Sequence, residues 1–69
     1  MKWTTWWFGI EDEDSELCGE EFFVEVKTTL DHAKQEAMGV AKMNFPNEKI
    51  VCYGRVSQED AEMMGLDTY

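Results

Sequence analysis

Lys2-Trp3-Thr4-Thr5-Trp6-Trp7-Phe8-Gly9-Ile10 is the stretch that decides the fold, because five of its nine residues are tryptophan, phenylalanine or isoleucine. All three tryptophans of the chain lie in it. Aromatic and β-branched residues in a short run that ends in polar residues read as a strand. Alternation puts Trp3, Thr5 and Trp7 on one face and Thr4, Trp6, Phe8 and Ile10 on the other. Bulk on both faces predicts a central strand, since a strand with one wet face alternates more cleanly.

Residues 11–21 follow, and they hold seven of the fifteen acidic residues: Glu11, Asp12, Glu13, Asp14, Glu16, Glu20 and Glu21. Neither a helical nor a strand period organises them, so a loop with frayed strand ends is expected. Residues 22–28 then alternate, with Phe22, Val24 and Val26 on one side and Phe23, Glu25 and Lys27 on the other. That pattern predicts a strand with one buried face, forming a hairpin with the first.

The period next changes to three and four, through Leu30, Ala33, Ala37, Val40 and Ala41. Thr28-Thr29-Leu30-Asp31 supplies a threonine cap and a first-turn acid. The small alanines predict a helix lying close to the sheet, and Gly39 reads as a mark of close packing. Pro46 pushes the residue before it out of helical geometry and stops the helix over residues 44–47. A third strand is expected over residues 49–56, with Ile50, Cys52, Gly54 and Val56 alternating against Val51, Tyr53 and Arg55. Ser57 then caps a short helix over residues 58–64, ended by Gly65 with Leu66 folding back. Residues 67–69 read as a loose tail.

Strand, strand, helix, strand, short helix places the aromatic strand in the middle of an antiparallel sheet of order 2-1-3. The expected class is α+β, one domain over residues 1–69, with the main helix on one face. At least one tryptophan must then face away from that helix, towards the last helix, a second copy or a target.

A chain of 69 residues buries only about 60% of its unfolded surface. With 43% hydrophobic and 13% aromatic residues, it is nonetheless globular rather than disordered. There is no apolar run of about 18 residues to span a membrane, and no signal-peptide pattern at the start, so the cytoplasm is the expected location. Cys18 and Cys52 are too few and too far apart for a disulfide scaffold, and they read as free thiols.

The net charge of −9 repels nucleic acid and anionic membrane and favours a basic partner. Plain solubility explains an acidic surface equally simply. His32 is the only histidine, and it falls in the first turn of a helix, where an imidazolium is disfavoured. Nothing places a base and an orienting group beside a nucleophile, so no enzyme and no cofactor is expected. Asp12, Asp14 and Glu16 open like a calcium loop, but Leu17 stands where glycine is required and Phe23 where the closing glutamate belongs. Aromatic sheets can stack bases, but such platforms carry lysine and arginine along the backbone path. The six basic residues here are scattered.

The acidic run instead suits imitation of a nucleic acid. An extended chain advances about 3.3 Å per residue, close to the roughly 3.4 Å between phosphates of one DNA strand. Glu59, Asp60, Glu62 and Asp67 form a second acidic group on the last helix and tail. In size, charge and strand-strand-helix-strand layout the chain resembles the small inhibitor proteins of phages and mobile elements. These include anti-CRISPR and anti-restriction proteins that mimic DNA or plug a nuclease. The resemblance covers the whole chain but rests on no motif, so no residue role is carried over. It implies an inhibitor that binds the basic surface of a nucleic-acid-handling protein. The partner-binding residues would be Glu11, Asp12, Glu13, Asp14, Glu16, Glu20, Glu21, Glu59, Asp60 and Glu62. The rival expectation is an assembly module, homodimeric or docked, using the aromatic face of Trp3, Trp7 and Tyr53.

Overall fold

In a computed structural model describing residues 3–65, β1 (Trp3–Ile10) is the middle strand of a three-stranded sheet ordered β2-β1-β3. β2 (Glu21–Lys27) and β3 (Ile50–Val56) both pair with it antiparallel. This is the expected α+β layout, with strand limits differing by a residue. The position of Leu66 and the tail lie outside the described residues.

The even-numbered row of β1 faces α1 (Leu30–Asn44). Phe8 is fully buried there with Val24, Val26, Ala33, Ala37 and Ala41. Removing a phenylalanine side chain from water contributes about 1.5–3 kcal/mol, which makes Phe8 the largest single anchor of this layer. Its ring stacks on Phe22 at 5.5 Å, and Phe22 meets Phe45 at 4.8 Å, tying β1, β2 and the end of α1 together. Thr4 on this face is buried, and its Oγ1 accepts a 2.9 Å hydrogen bond from Trp6 Nε1.

The three alanines do bring the helix close to the sheet, but the apolar stripe is narrower than its periodicity suggests. Leu30 is 62% exposed and Val40 40% exposed. Burial on the helix is confined to Ala33, Ala37 and Ala41, and the positions flanking that row stay open to solvent. Gly39 is exposed, and a Cβ there would meet nothing within 4 Å, so it does not mark close packing. Thr29 occupies the N-cap position, and its carbonyl accepts from His32 N–H at 3.1 Å, but its side chain does not cap the helix backbone. Its Oγ1 instead shares a 2.9 Å hydrogen bond with His32 Nδ1.

β3 carries an irregularity that its alternation conceals. Trp7 pairs with Gly54 and Phe8 with Cys52, which leaves Tyr53 as an extra residue. Directly opposed residues share a face. Ile50 and Cys52 therefore go with Ile10 and Phe8 towards α1, and Val51 goes with Gly9 to the second face. Beyond the bulge the phase flips: Gly54 and Val56 join the second face, opposite Trp7 and Thr5, and Arg55 opposes Trp6. Gly54 has φ +134°, a left-handed value that glycine adopts without a Cβ penalty.

The hairpin tip is not frayed. Ile10 N–H donates to Glu20 O at 2.9 Å, and Gly19 N–H donates to Ile10 O at 2.8 Å, closing the loop at its base. Inside it, turns run from Asp12 O to Ser15 N–H and from Ser15 O to Cys18 N–H. The loop thus meets its backbone needs locally, and the carboxylates of Glu13, Asp14, Glu16 and Glu20 face solvent.

Candidate functional site

The second face of the sheet, away from α1, carries the unusual chemistry. Trp7 and Tyr53 meet there with ring centroids 4.8 Å apart and planes tilted by 56°. Two features of the chain place them. The bulge aims Tyr53 back along β1, and Gly9 leaves room beneath its ring, since a Cβ at Gly9 would lie 2.7 Å from Tyr53 Cζ. Phe23 is the direct cross-strand partner of Trp7 and extends the aromatic surface onto β2.

Acidic residues grip the edges of this pair. Tyr53 Oη donates to Glu11 Oε2 at 2.8 Å, and Trp7 Nε1 donates to Glu21 Oε1 at 2.8 Å. The Glu11 hydrogen bond raises the Tyr53 phenol above its ordinary value of 10.0. Burial, and the charges of Glu11, Glu21 and Cys18, act in the same direction.

α2 (Gln58–Met63) closes the far end of the same face. Ser57 Oγ caps it by accepting from Asp60 N–H at 3.1 Å, and Ala61 is fully buried, as is Thr5 on the sheet. Between α2 and the aromatics runs a groove of about 580 Å³ lined by Trp7, Phe23, Tyr53, residues 54–57, Asp60, Met63 and Met64. Large apolar side chains along it are half open to solvent: Trp7 at 39%, Phe23 at 41% and Tyr53 at 44%.

The acidic residues expected to bind a partner fall into two groups on this frame. Glu13, Asp14, Glu16 and Glu20 are exposed on the hairpin tip, and Asp12 Oδ1 accepts from Asp14 N–H at 3.1 Å. Glu59, Asp60 and Glu62 are exposed on α2. Val56, which leads into α2, pairs with Thr5, whereas the acidic loop begins after Ile10. The two groups are therefore separated by five residues of β1, about 16 Å at strand rise. Trp3 is half buried at the α2 end of β1, while Trp7 and Tyr53 form the open pair.

Glu11 and Glu21 emerge as ring-edge acceptors and not simply as free charges. Sequence patterning pointed to neither Phe23 as a wall of the site nor Met63 and Met64 as its lip. The local signal was an isolated glycine beside an aromatic residue in each of two strands, Gly9 after Phe8 and Gly54 after Tyr53.

Both cysteines are free, Cys18 exposed in the loop and Cys52 half buried on the α1 face. Among the described residues no group of three or more histidine, cysteine or acidic side chains is placed to hold a metal ion. No helix among them is long and apolar enough to cross a membrane. No protein-family model, curated protein or solved structure matches this chain.

Proposed function

We propose that this chain is a non-enzymatic, phage-type inhibitor acting in the cytoplasm. It blocks a nucleic-acid-handling enzyme by presenting carboxylates to that enzyme's basic surface. The observation that carries this is the placement of charge. Six of the fifteen acidic residues occupy one hairpin loop, with Glu21 at its edge on β2, and the loop's own backbone hydrogen bonds hold its shape. A preorganised run of charge gives up little conformational freedom on binding. It also steers association towards a basic groove and repels nucleic acid itself.

The test is capture of basic nucleases across a salt series. Affinity should fall steeply as salt rises. The triple variant Glu13→Gln, Asp14→Asn, Glu16→Gln should weaken it by about tenfold, as removal of exposed rim charges of about 0.5 kcal/mol each implies. If the chain holds no basic nuclease even at low salt, the proposal is wrong.

A second function is favoured by the half-open Trp7, Phe23 and Tyr53, which form a surface suited to an assembly interface. In that case the chain is a homodimer through its second face. Sedimentation at micromolar concentration should then show a dimer that Phe23→Glu converts to monomer, whereas a wild-type monomer excludes it.

A further inference from the structure

We propose that the groove between the second sheet face and α2 receives an arginine side chain, presented next to an apolar residue by a basic partner protein. This rests on the partner being basic, as in the inhibitor function above, and adds the contact that anchors it.

Three observations select that occupant. First, the aromatic pair is electronically prepared for a cation. Trp7 Nε1–H and Tyr53 Oη–H both donate to carboxylates, Glu21 and Glu11, at 2.8 Å. A carboxylate at the positive edge of a ring makes its face more negative, which is the property a cation above that face senses. Second, Asp60 lines the same groove and is exposed, so an acceptor stands beside the rings. A guanidinium can stack on an aromatic plane and still donate in its own plane, which an ammonium cannot do. Third, Met63 is 82% exposed and Met64 47% exposed at the lip. Flexible thioether chains adapt to an apolar neighbour of the arginine.

Other occupants fit less well. A second copy would bring the acidic residues of α2 against the acidic edge of another chain of charge −9, and like charges across an interface oppose it. Asp60 is the single carboxylate of the lining, so one arginine with an apolar flank suits the groove better than a polybasic stretch.

The experiment uses the full chain and a set of short peptides, each with one arginine and one leucine, adjacent or one helical turn apart. Each has a matched peptide in which neutral citrulline replaces arginine. Binding is read by quenching of tryptophan fluorescence. At least one arginine peptide should bind, and its citrulline match should bind about tenfold more weakly, as expected for a desolvated cation over an aromatic face. Tyr53→Leu and Asp60→Asn should each weaken binding several-fold, while Glu36→Gln, exposed on α1 and away from the groove, leaves it unchanged. Circular dichroism checks that the variants fold, and Asp60→Asn keeps the groove's shape if Tyr53→Leu does not. The inference is overturned if no arginine peptide binds, if citrulline binds equally well, or if Asp60→Asn changes nothing. Nuclease capture without arginine-peptide binding would refute the groove and leave the carboxylate surface standing. Arginine-peptide binding without nuclease capture would do the reverse.

Discussion

Replacing Gly39 by alanine should stabilise this protein, and the size of the gain tests which side of α1 faces water. Gly39 lies in the interior of α1, is exposed, and leaves open space where a Cβ would project. Alanine is better than glycine in a helix interior by about 0.8–1.0 kcal/mol. Part of that gain arises because the unfolded chain has fewer conformations to lose. No packed neighbour opposes it, so the full amount should appear. For a domain of this size, about 1 kcal/mol moves the thermal midpoint by roughly 4–8 °C. Urea denaturation followed by circular dichroism should show a higher midpoint with an unchanged slope. Ala37 is the contrasting control, because it is fully buried against the sheet. Ala37→Leu should cost about 1–3 kcal/mol through overpacking. A loss of stability in Gly39→Ala, or a midpoint that becomes dependent on protein concentration, would refute the assignment. A concentration-dependent midpoint would mean that a second copy packs on the outer side of α1.

Three further substitutions examine the second face. Thr5 Oγ1 is buried with no hydrogen-bond partner, so Thr5→Val should raise stability by about 1 kcal/mol in urea denaturation, and a loss would show that the hydroxyl is satisfied. Ser57→Ala removes the α2 cap and should cost about 1 kcal/mol; an unchanged urea midpoint would mean that α2 does not depend on it. The hydrogen bond that Tyr53 Oη–H donates to Glu11, with the negative charge around it, holds the phenol above its ordinary 10.0. A pKa raised on folding contributes stability that is complete below the unfolded value and is lost as pH climbs through the folded one. Stability should therefore decline above about pH 10. Glu11→Gln or Gly9→Ala should return the phenol, followed by ultraviolet absorbance, towards the ordinary range, and an unmoved titration would show that the Glu11 contact is not formed.

Strand order was readable from the chain because a single feature determines it. A strand bulky on both faces must be covered on both, which puts β1 in the middle and makes its neighbours antiparallel. The three helix alanines were equally clear, since small residues at every fourth position on a helix have few uses except close approach. The positions beside that row were harder. Leu30 and Val40 obey the helical period, yet burial also depends on the surface opposite them, which no periodicity encodes. The bulge at Tyr53 is a difference of one residue in pairing, and the alternation of β3 remains regular in sequence while its faces exchange. The groove depends on that exchange and on the return of α2, so its walls could not be gathered from spacing. Acidic clustering was plain from composition, whereas the hydrogen bonds that hold Glu11 and Glu21 against aromatic edges exist only once the hairpin closes.

The geometry also suggests why an inhibitor of this kind would carry both features. Exposed ion pairs contribute little individually and weaken with salt, so carboxylates alone give fast but loose association. An aromatic groove that excludes water contributes slowly reversible binding and loses less with salt. Here the hairpin acids and the α2 acids stand at opposite ends of the groove, about 16 Å apart along β1. A basic surface drawn in by both ends would be centred over Trp7 and Tyr53. On that division, neutralising the hairpin tip should lower the association rate and its salt dependence, whereas Tyr53→Leu should raise the dissociation rate with the salt dependence of association intact. Stopped-flow measurement of the two variants against one captured partner separates the roles. Equal effects of both variants on the dissociation rate would show that charge and groove act as one undivided contact.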